Sequence, residues 1–217
     1  MHRALLLAAP LLLSPALAAA HPHIFVSTGV EVIFDDQGRA TALRISWTYD
    51  EMFSLMMVQE NGLDPDGDNH LTEAELASLN GADMEWDPEF PGDTYALLGD
   101  APLALSRPRD WTMAYDGASL TSTHVRDFDA PVTVAEVPLV VQSYDPGYYT
   151  AYTIDAEPVV TGRDTCTAGI WEPDRSKADA MLDAALKEYD GTDVESGGFP
   201  AGAAYADEVR VTCAAPS

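Results

Sequence analysis

Apolar and polar residues alternate along two neighbouring stretches near the start of the chain. In residues 24–34 one face carries Ile24, Val26, Val30, Val32 and Phe34. Residues 40–48 alternate in the same way after a turn-forming segment at 35–38. Alternation with a period of two is typical of strands that bury one face, so the two stretches predict a β-hairpin.

The spacing of apolar residues becomes helical after the hairpin. Residues 50–59 hold an apolar cluster behind Asp50, a residue type that caps helix N-termini, and residues 72–79 form a second short helical segment with an acidic start. Together with the loop between them, they predict a helix–loop–helix insertion over residues 50–80. Residues 81–93 are rich in Asp, Glu, Pro and Gly, which is typical of a linker.

The remainder of the chain is rich in strand patterns. Between residues 94 and 161 the predicted strands are 95–98, 103–105, 111–115, 118–128, 132–142 and 148–154, in an antiparallel meander. Residues 176–189 have the spacing of an amphipathic helix, residues 191–203 are glycine-rich, and residues 209–213 form a last strand. The expected fold class is α+β, an antiparallel β-sheet or sandwich with the helical excursion and one C-terminal amphipathic helix.

The first twenty residues resemble a secretory signal peptide. Arg3 precedes an apolar run at residues 4–13, and small-x-small cleavage sites end at Ala18 and Ala20. No later segment reaches the roughly 18 apolar residues that a membrane-spanning helix needs, so we expect no membrane insertion of the mature chain. We therefore expect a single periplasmic domain over residues 21–217.

Cys166 and Cys213 are the two cysteines of the chain. An even pair in an exported protein predicts one disulfide, which would close a C-terminal segment over residues 166–213. The alternative is a soft-metal site, but neither cysteine belongs to a CxxC motif and no histidine lies near them in the sequence.

The chain is strongly acidic, with 36 Asp and Glu residues, 11 Lys and Arg residues and a formal net charge of −25. This charge excludes nucleic acids and anionic membrane surfaces as expected partners. Most of these carboxylates are best read as a solubilising surface.

A twelve-residue loop at positions 64–75 places oxygen-bearing side chains at the spacing of an EF-hand calcium site. The predicted ligands are the side chains of Asp64, Asp66, Asp68, Thr72 and Glu75, with the backbone carbonyl of His70. Asn69 stands where the motif has glycine, and asparagine is one of the few other residues that tolerate a left-handed backbone. The excursion is thus predicted to be EF-hand-like; the plainer reading is an acidic, solvated loop. Because no second loop of this type is present, a structural role for calcium is favoured.

The expected N-terminus of the mature chain offers a second metal site. After cleavage behind Ala20, His21 would bring its free amine and imidazole, and His23 a second imidazole, which suits Ni²⁺, Co²⁺, Cu²⁺ or Zn²⁺. Cleavage behind Ala18 would instead create an amine, two amides and a third-position histidine, a square-planar copper or nickel site. The alternative is a polar tail before the first strand.

Catalytic motifs such as Gly-x-Ser-x-Gly, HExxH and the P-loop do not occur in the sequence, so we expect no enzyme. His124, in a strand-like segment, is expected to be structural. A copper enzyme that combined the N-terminal histidine with His124 is the remaining catalytic alternative.

Several of these segments occur in the same order in one known family. Residues 21–26, residues 47–54 with the acidic loop behind them, residues 125–128 and residues 144–149 resemble a bacterial domain-of-unknown-function family. That family is often labelled the periplasmic component of an ABC-type transport system. Its members are commonly encoded beside nickel/cobalt efflux permeases, which implies periplasmic metal handling.

Two functions follow as hypotheses. The first is a periplasmic metal-handling accessory protein for a nickel/cobalt-type transport system, with structural calcium and an inner-membrane metal permease or ABC transporter as partner. The alternative is a calcium-stabilised protein-binding or scaffold module with no transition-metal role.

Overall fold

Two β-sheets form the framework of the fold in a computed structural model, which describes residues 22–188 and 201–214. The first sheet has the order β5 (Arg109–Tyr115), β6 (Leu120–Val132), β2 (Ala40–Tyr49), β1 (Ile24–Phe34) and β8 (Thr150–Thr153). A short strand β9 (Val159–Thr161) also pairs with β1. The second sheet has the order β10 (Cys166–Trp171), β11 (Glu208–Cys213), β7 (Leu139–Ser143), β3 (Thr94–Leu98) and β4 (Ala101–Leu103).

The inner faces of the two sheets share one hydrophobic core. The first sheet contributes residues such as Val32, Leu43 and Ile45, and the second contributes Leu139 and Val211, all fully buried. Each such side chain contributes about 1.5–3 kcal/mol when it is buried. The predicted hairpin of β1 and β2 is present, and its alternating residues point into this core.

The predicted meander is wrong in its connectivity. Strands β3 and β4 pair, as do β5 and β6, but β7 pairs with β3 and β11. Strands β8 and β9 run parallel to β1, in a first sheet that is otherwise antiparallel. Alternation along a strand shows which of its faces is buried. Because both sheets bury an apolar inner face, the pattern does not tell which sheet a strand joins.

Two helices, α1 (Glu51–Glu60) and α2 (Glu73–Leu79), flank the acidic loop. Asp50 caps α1 by accepting a hydrogen bond from the backbone N–H of Phe53. Val58, Leu63 and Leu79 form a second small apolar cluster with Leu120 of β6. This cluster attaches the excursion to the outer part of the first sheet.

Residues 81–93 do not behave as the predicted linker. They contain neither a helix nor a strand, yet Met84 is 7% exposed and the Trp86 ring packs against the main core. Gly92 has a φ of +82°, and a Cβ there would lie 2.3 Å from the Trp86 ring. The many polar and turn-forming residues of the segment led to the linker prediction, although Met84 and Trp86 anchor it to the core.

The C-terminal part contains helices α3 (Arg175–Glu188) and α4 (Ala201–Tyr205). Of the apolar face predicted for the first of these, Met181 is exposed, whereas Tyr189 and the side chains of Leu182, Ala185 and Leu186 lie outside the described residues. Most of the glycine-rich stretch at 191–203 and the whole predicted signal peptide also lie outside them. Among the helices described, none combines the length and the apolar character needed to cross a membrane.

Cys166 and Cys213 are directly opposite each other on β10 and β11 and form a disulfide. The bond joins two edge-proximal strands of the second sheet across a sequence separation of 47 residues. In the chain-entropy account, a disulfide stabilises the fold by restricting the unfolded chain.

We expect the double variant Cys166→Ser/Cys213→Ser to lose about 4 kcal/mol of unfolding free energy, from the loop-closure entropy of the unfolded chain. Guanidinium denaturation of the oxidised protein and of the variant measures the difference. The reduced wild-type protein is the matched control and should unfold with the variant. Equal midpoints for the oxidised protein and the variant would show that the bond adds no stability.

Candidate functional site

Three carboxylates converge in the loop between α1 and α2. Oxygens of Asp64, Asp66 and Asp68 all lie within 4.8 Å of one another. Asp66 and Asp68 are exposed and Asp64 is partly buried. No Lys or Arg in the described part of the chain forms an ion pair with any of the three. Such a donor set, oxygen-only and negatively charged, fits a hard divalent cation.

Hydrogen bonds within the loop hold two of these carboxylates in place. Asp64 accepts from the backbone N–H groups of Asp68 and Asn69, each at 3.1 Å. Asp68 accepts from the backbone N–H of His70 at 2.8 Å. The loop backbone therefore wraps around the side chains of Asp64 and Asp68. Among the described contacts, Asp66 accepts no such hydrogen bond from the backbone.

Asn69 has the left-handed backbone that its position requires, with a φ of 61°. The Asn69 side chain also forms two hydrogen bonds outside the loop. The amide Nδ2 donates to the carbonyl of Gly117 at 2.5 Å, and the Tyr115 hydroxyl donates to Oδ1 at 3.1 Å. A glycine could supply the conformation but not these bonds, so Asn69 docks the acidic loop onto the turn between β5 and β6.

Thr72 and Glu75 lie at the start of α2 and bond to each other. The Glu75 carboxylate accepts from the backbone N–H and the hydroxyl of Thr72, both at 2.7 Å, and Thr72 in turn caps the Glu75 N–H. This reciprocal capping box stabilises the helix N-terminus. Glu75 is not a member of the three-carboxylate cluster.

The predicted N-terminal metal site is only half described. His21 lies outside the described residues, while His23 is exposed just before β1. The His23 backbone N–H donates to the carbonyl of Tyr149 at 2.8 Å, and the two rings lie 4.8 Å apart. The structure thus places His23 on the surface beside the turn that leads into β8.

His124 does not meet His23, because β2 separates β6 from β1. Its ring is fully buried, 4.8 Å from Trp47 and 5.6 Å from Trp86. Burial, with the nearby charge of Arg126, lowers the pKa of His124 to about 4. The His124 ring is thus part of the buried interior.

Two partly buried tyrosine–carboxylate pairs lie at the same end of the sandwich. The Tyr49 hydroxyl donates to Asp83 and the Tyr152 hydroxyl donates to Asp93, both at 2.9 Å. Burial raises the pKa of Asp93 to about 7; the Tyr152 bond opposes this rise and the charge of Asp145 adds to it. Sequence reasoning missed both pairs, since Asp83 and Asp93 lie in the segment taken as a linker.

Buried polar atoms without a protein partner are concentrated here. Among the described residues they belong to Thr28, Trp47, Asp83, Asp93, Thr94, Ser122, His124 and Ser143, with Asp207 the exception elsewhere. Thr28, Trp47 and Ser122 form one row across β1, β2 and β6, while Thr94 and Ser143 pair on β3 and β7. Protein interiors seldom leave so many polar groups unpaired. Polar residues at inward-facing positions of the alternating strands are the sequence signal that could have indicated this polar end.

Asp93 and His124 should give opposite pH dependences of stability. The pKa of Asp93 rises from 3.8 to about 7 on folding, so its stabilising contribution is complete below pH 3.8 and is lost as the pH rises towards 7. The pKa of His124 falls from 6.5 to about 4, so its contribution is complete above pH 6.5 and is lost as the pH falls towards 4.

We therefore expect Asp93→Asn to gain stability relative to wild type as the pH rises from about 4 to about 7, and His124→Gln to gain as the pH falls over that range. Each pKa unit corresponds to about 1.4 kcal/mol, so differences of a few kcal/mol are measurable by denaturation at several pH values. The exposed variant Asp164→Asn is the control and should show neither trend. If the stability of all three variants changed with pH in the same way as that of the wild type, the pKa shifts of Asp93 and His124 would be contradicted.

Comparison with known proteins agrees with the family resemblance of the sequence motifs. No curated protein sequence matches the chain. Residues 6–213 match a family described as "Protein of unknown function (DUF1007)", so the match covers both sheets, the acidic loop and the buried polar end. The chain belongs to the DUF1007 family.

Proposed function

We propose that the chain is an exported metal-handling accessory protein with a structural calcium ion and a transition-metal site at its mature N-terminus. The observation that carries the proposal is the convergence of Asp64, Asp66 and Asp68 between two helices. The proposal assigns the chain no catalytic activity. It places the protein in the periplasm, for which the signal-like residues 1–20 and the disulfide are the support.

Calcium would be held in an EF-hand-like loop by the three aspartates, with Thr72, Glu75 and the His70 carbonyl completing the oxygen shell. A bound dication would remove the mutual repulsion of the three carboxylates. Because Asn69 bonds to Gly117 and Tyr115, the ion would also strengthen the contact between the excursion and the first sheet. The role of calcium is therefore structural.

The transition metal would bind at His21 and His23. His23 is exposed, and its backbone is anchored to Tyr149 beside the first strand. An amine and two imidazoles suit Ni²⁺, Co²⁺, Cu²⁺ or Zn²⁺. Family resemblance supports an inner-membrane metal permease or an ABC transporter as the partner.

A second function has a specific observation in its favour. On α1, Met52, Leu55 and Met56 are 75%, 48% and 43% exposed, and their spacing places them on one helix face. Exposed apolar side chains grouped in this way are typical of protein-binding surfaces. The second candidate is a calcium-stabilised binding or scaffold module without a transition metal.

Calcium should raise the melting temperature of the chelator-stripped protein. A ligand that binds only the folded state adds about 2.7 kcal/mol when its concentration is 100 times the Kd. We expect Asp66→Asn to weaken calcium binding at least about tenfold, since it removes one ligand charge. This variant disturbs no described hydrogen bond of the loop, so its effect isolates metal binding.

The matched control for Asp66→Asn is Asp36→Asn, which removes an acid from the turn between β1 and β2. It should bind calcium like the wild type in a calorimetric titration. A melting temperature that does not respond to calcium at about 10 mM would reject the calcium site, since affinities weaker than millimolar are of no structural use.

Nickel should bind the mature protein at one site when calcium is already saturating. We expect His23→Ala to weaken that binding at least about tenfold, because it removes an imidazole ligand. His70→Ala, which removes an exposed imidazole in the acidic loop, is the matched control and should leave nickel binding unchanged. Calorimetric heats no larger than those of the control metal Mg²⁺ would reject nickel handling and leave the binding module as the better function.

A further inference from the structure

A cavity of about 390 Å³ opens on the second sheet, away from the acidic loop. Strand β3 contributes Thr94, Tyr95 and Leu97 to its walls, Leu103 comes from β4, and Arg126 comes from β6 of the other sheet. Cavities that hold small ligands have volumes of about 300–1,000 Å³, so this one suits a compact molecule.

Arg126 is the positive charge of this cavity, and it is only 5% exposed. Its guanidinium donates to the backbone carbonyls of Pro91 at 2.8 Å, Thr94 at 3.3 Å and Ser106 at 2.9 Å, with a longer contact of 3.5 Å to Leu105. No described Asp or Glu forms an ion pair with it. Neutral carbonyls orient the group but do not balance its charge.

This lack of a counter-charge is unexpected in a chain with 36 acidic residues. Arg39, Arg44, Arg109 and Arg210 all pair with carboxylates. Arg107 and Arg163 also bond to backbone carbonyls without an ion pair among the described residues, but Arg107 is exposed and Arg163 is only partly buried, whereas Arg126 is buried. Arg126 instead faces a second cation, because Arg107 lies over the same Trp86 ring at 5.7 Å while Arg126 lies over it at 5.2 Å. A buried cation without a partner carries a large desolvation cost, which an anion bound in the cavity would reduce.

A purely structural role for Arg126 explains its bonds to carbonyls, but it does not explain the cavity beside it. Thr94 also borders the cavity, but its hydroxyl is buried on the inner face of β3, beside Ser143.

The other walls are mostly apolar or aromatic. Leu97 and Leu103 face the cavity, and the rings of Tyr95 and Tyr144 stack with centroids 4.0 Å apart. The Gln142 side chain, also in the lining, donates to Glu208. A ligand that fits these walls has one anionic group and an apolar body.

We propose that this cavity binds a small organic carboxylate, whose anionic group pairs with Arg126. Three of the five guanidinium N–H groups donate to Pro91, Thr94 and Ser106 and a fourth points at Leu105, so the carboxylate is expected to accept one charge-assisted hydrogen bond from the remaining N–H. One cation in a strongly acidic protein favours a singly charged group over a phosphate dianion. The inference is independent of the proposed metal sites.

Burial, together with the charge of Arg107, lowers the pKa of Arg126 to about 10. The direction of this shift agrees with a cation that lacks its counter-ion in the folded chain.

The test uses the mature, calcium-saturated protein and two pairs of probes: benzoate with benzamide, and butyrate with butyramide. We expect one carboxylate at least to bind at a single site in calorimetric titrations, and its neutral amide to bind at least about tenfold more weakly. Inorganic phosphate should bind more weakly than the better carboxylate.

One variant locates the site without removing the buried cation. Ala104→Trp should block carboxylate binding by filling the cavity that Ala104 lines. Arg107→Gln is the matched control, because Arg107 does not line the cavity, and it should retain binding. Thermal melts without ligand check that each variant is folded.

Three results would overturn the proposal. The first is that neither carboxylate binds saturably at about 20 mM, a concentration beyond any useful affinity. The second is equal binding of an acid and its amide, and the third is tighter binding of phosphate than of the better carboxylate. Unchanged binding in folded Ala104→Trp would place the carboxylate elsewhere and would also reject the proposal.

Discussion

The pairing of strand β2 with β1 on one side and β6 on the other is the interaction on which the rest of the structure depends. It places Trp47 between Thr28 and Ser122 in one row across three strands. The same pairing buries Leu43 and Ile45 at the centre of the core. Where β2 ends, Tyr49 and Asp50 lead directly into α1, so the position of the excursion also follows from this strand.

Trp86 contacts both the polar interior and the cation at the cavity. Its ring centroid lies 5.6 Å from that of His124 and 6.2 Å from that of Trp47, and the guanidinium groups of Arg107 and Arg126 lie over the ring. Only the absence of a side chain at Gly92 lets the backbone pass so close to the indole. A segment without regular secondary structure thereby packs against the main core.

The acidic loop is attached to the periphery of the first sheet. Its contacts run through Asn69 to the turn before β6, and through Leu71 to the second apolar cluster. Loss of a cation from the three aspartates would therefore loosen the excursion before it disturbed the main core, because local unfolding follows the smaller set of buried contacts. His23, which precedes β1, and the cavity at Arg126 lie in other parts of the fold, so the proposed sites can be tested separately.

The sequence by itself determined the local features. Alternation and capping residues located β1, β2 and the start of α1, the spacing of Asp64, Asp66 and Asp68 predicted their convergence, and the even number of cysteines predicted the disulfide. These features depend on neighbouring residues or on a simple count. Only the tertiary structure decided which sheet each strand joins, that residues 81–93 enter the core, and that Asp93 and Arg126 are buried. The physical reason is that burial of a polar side chain depends on strands and loops far away in the chain, and no local pattern records which of them will cover it.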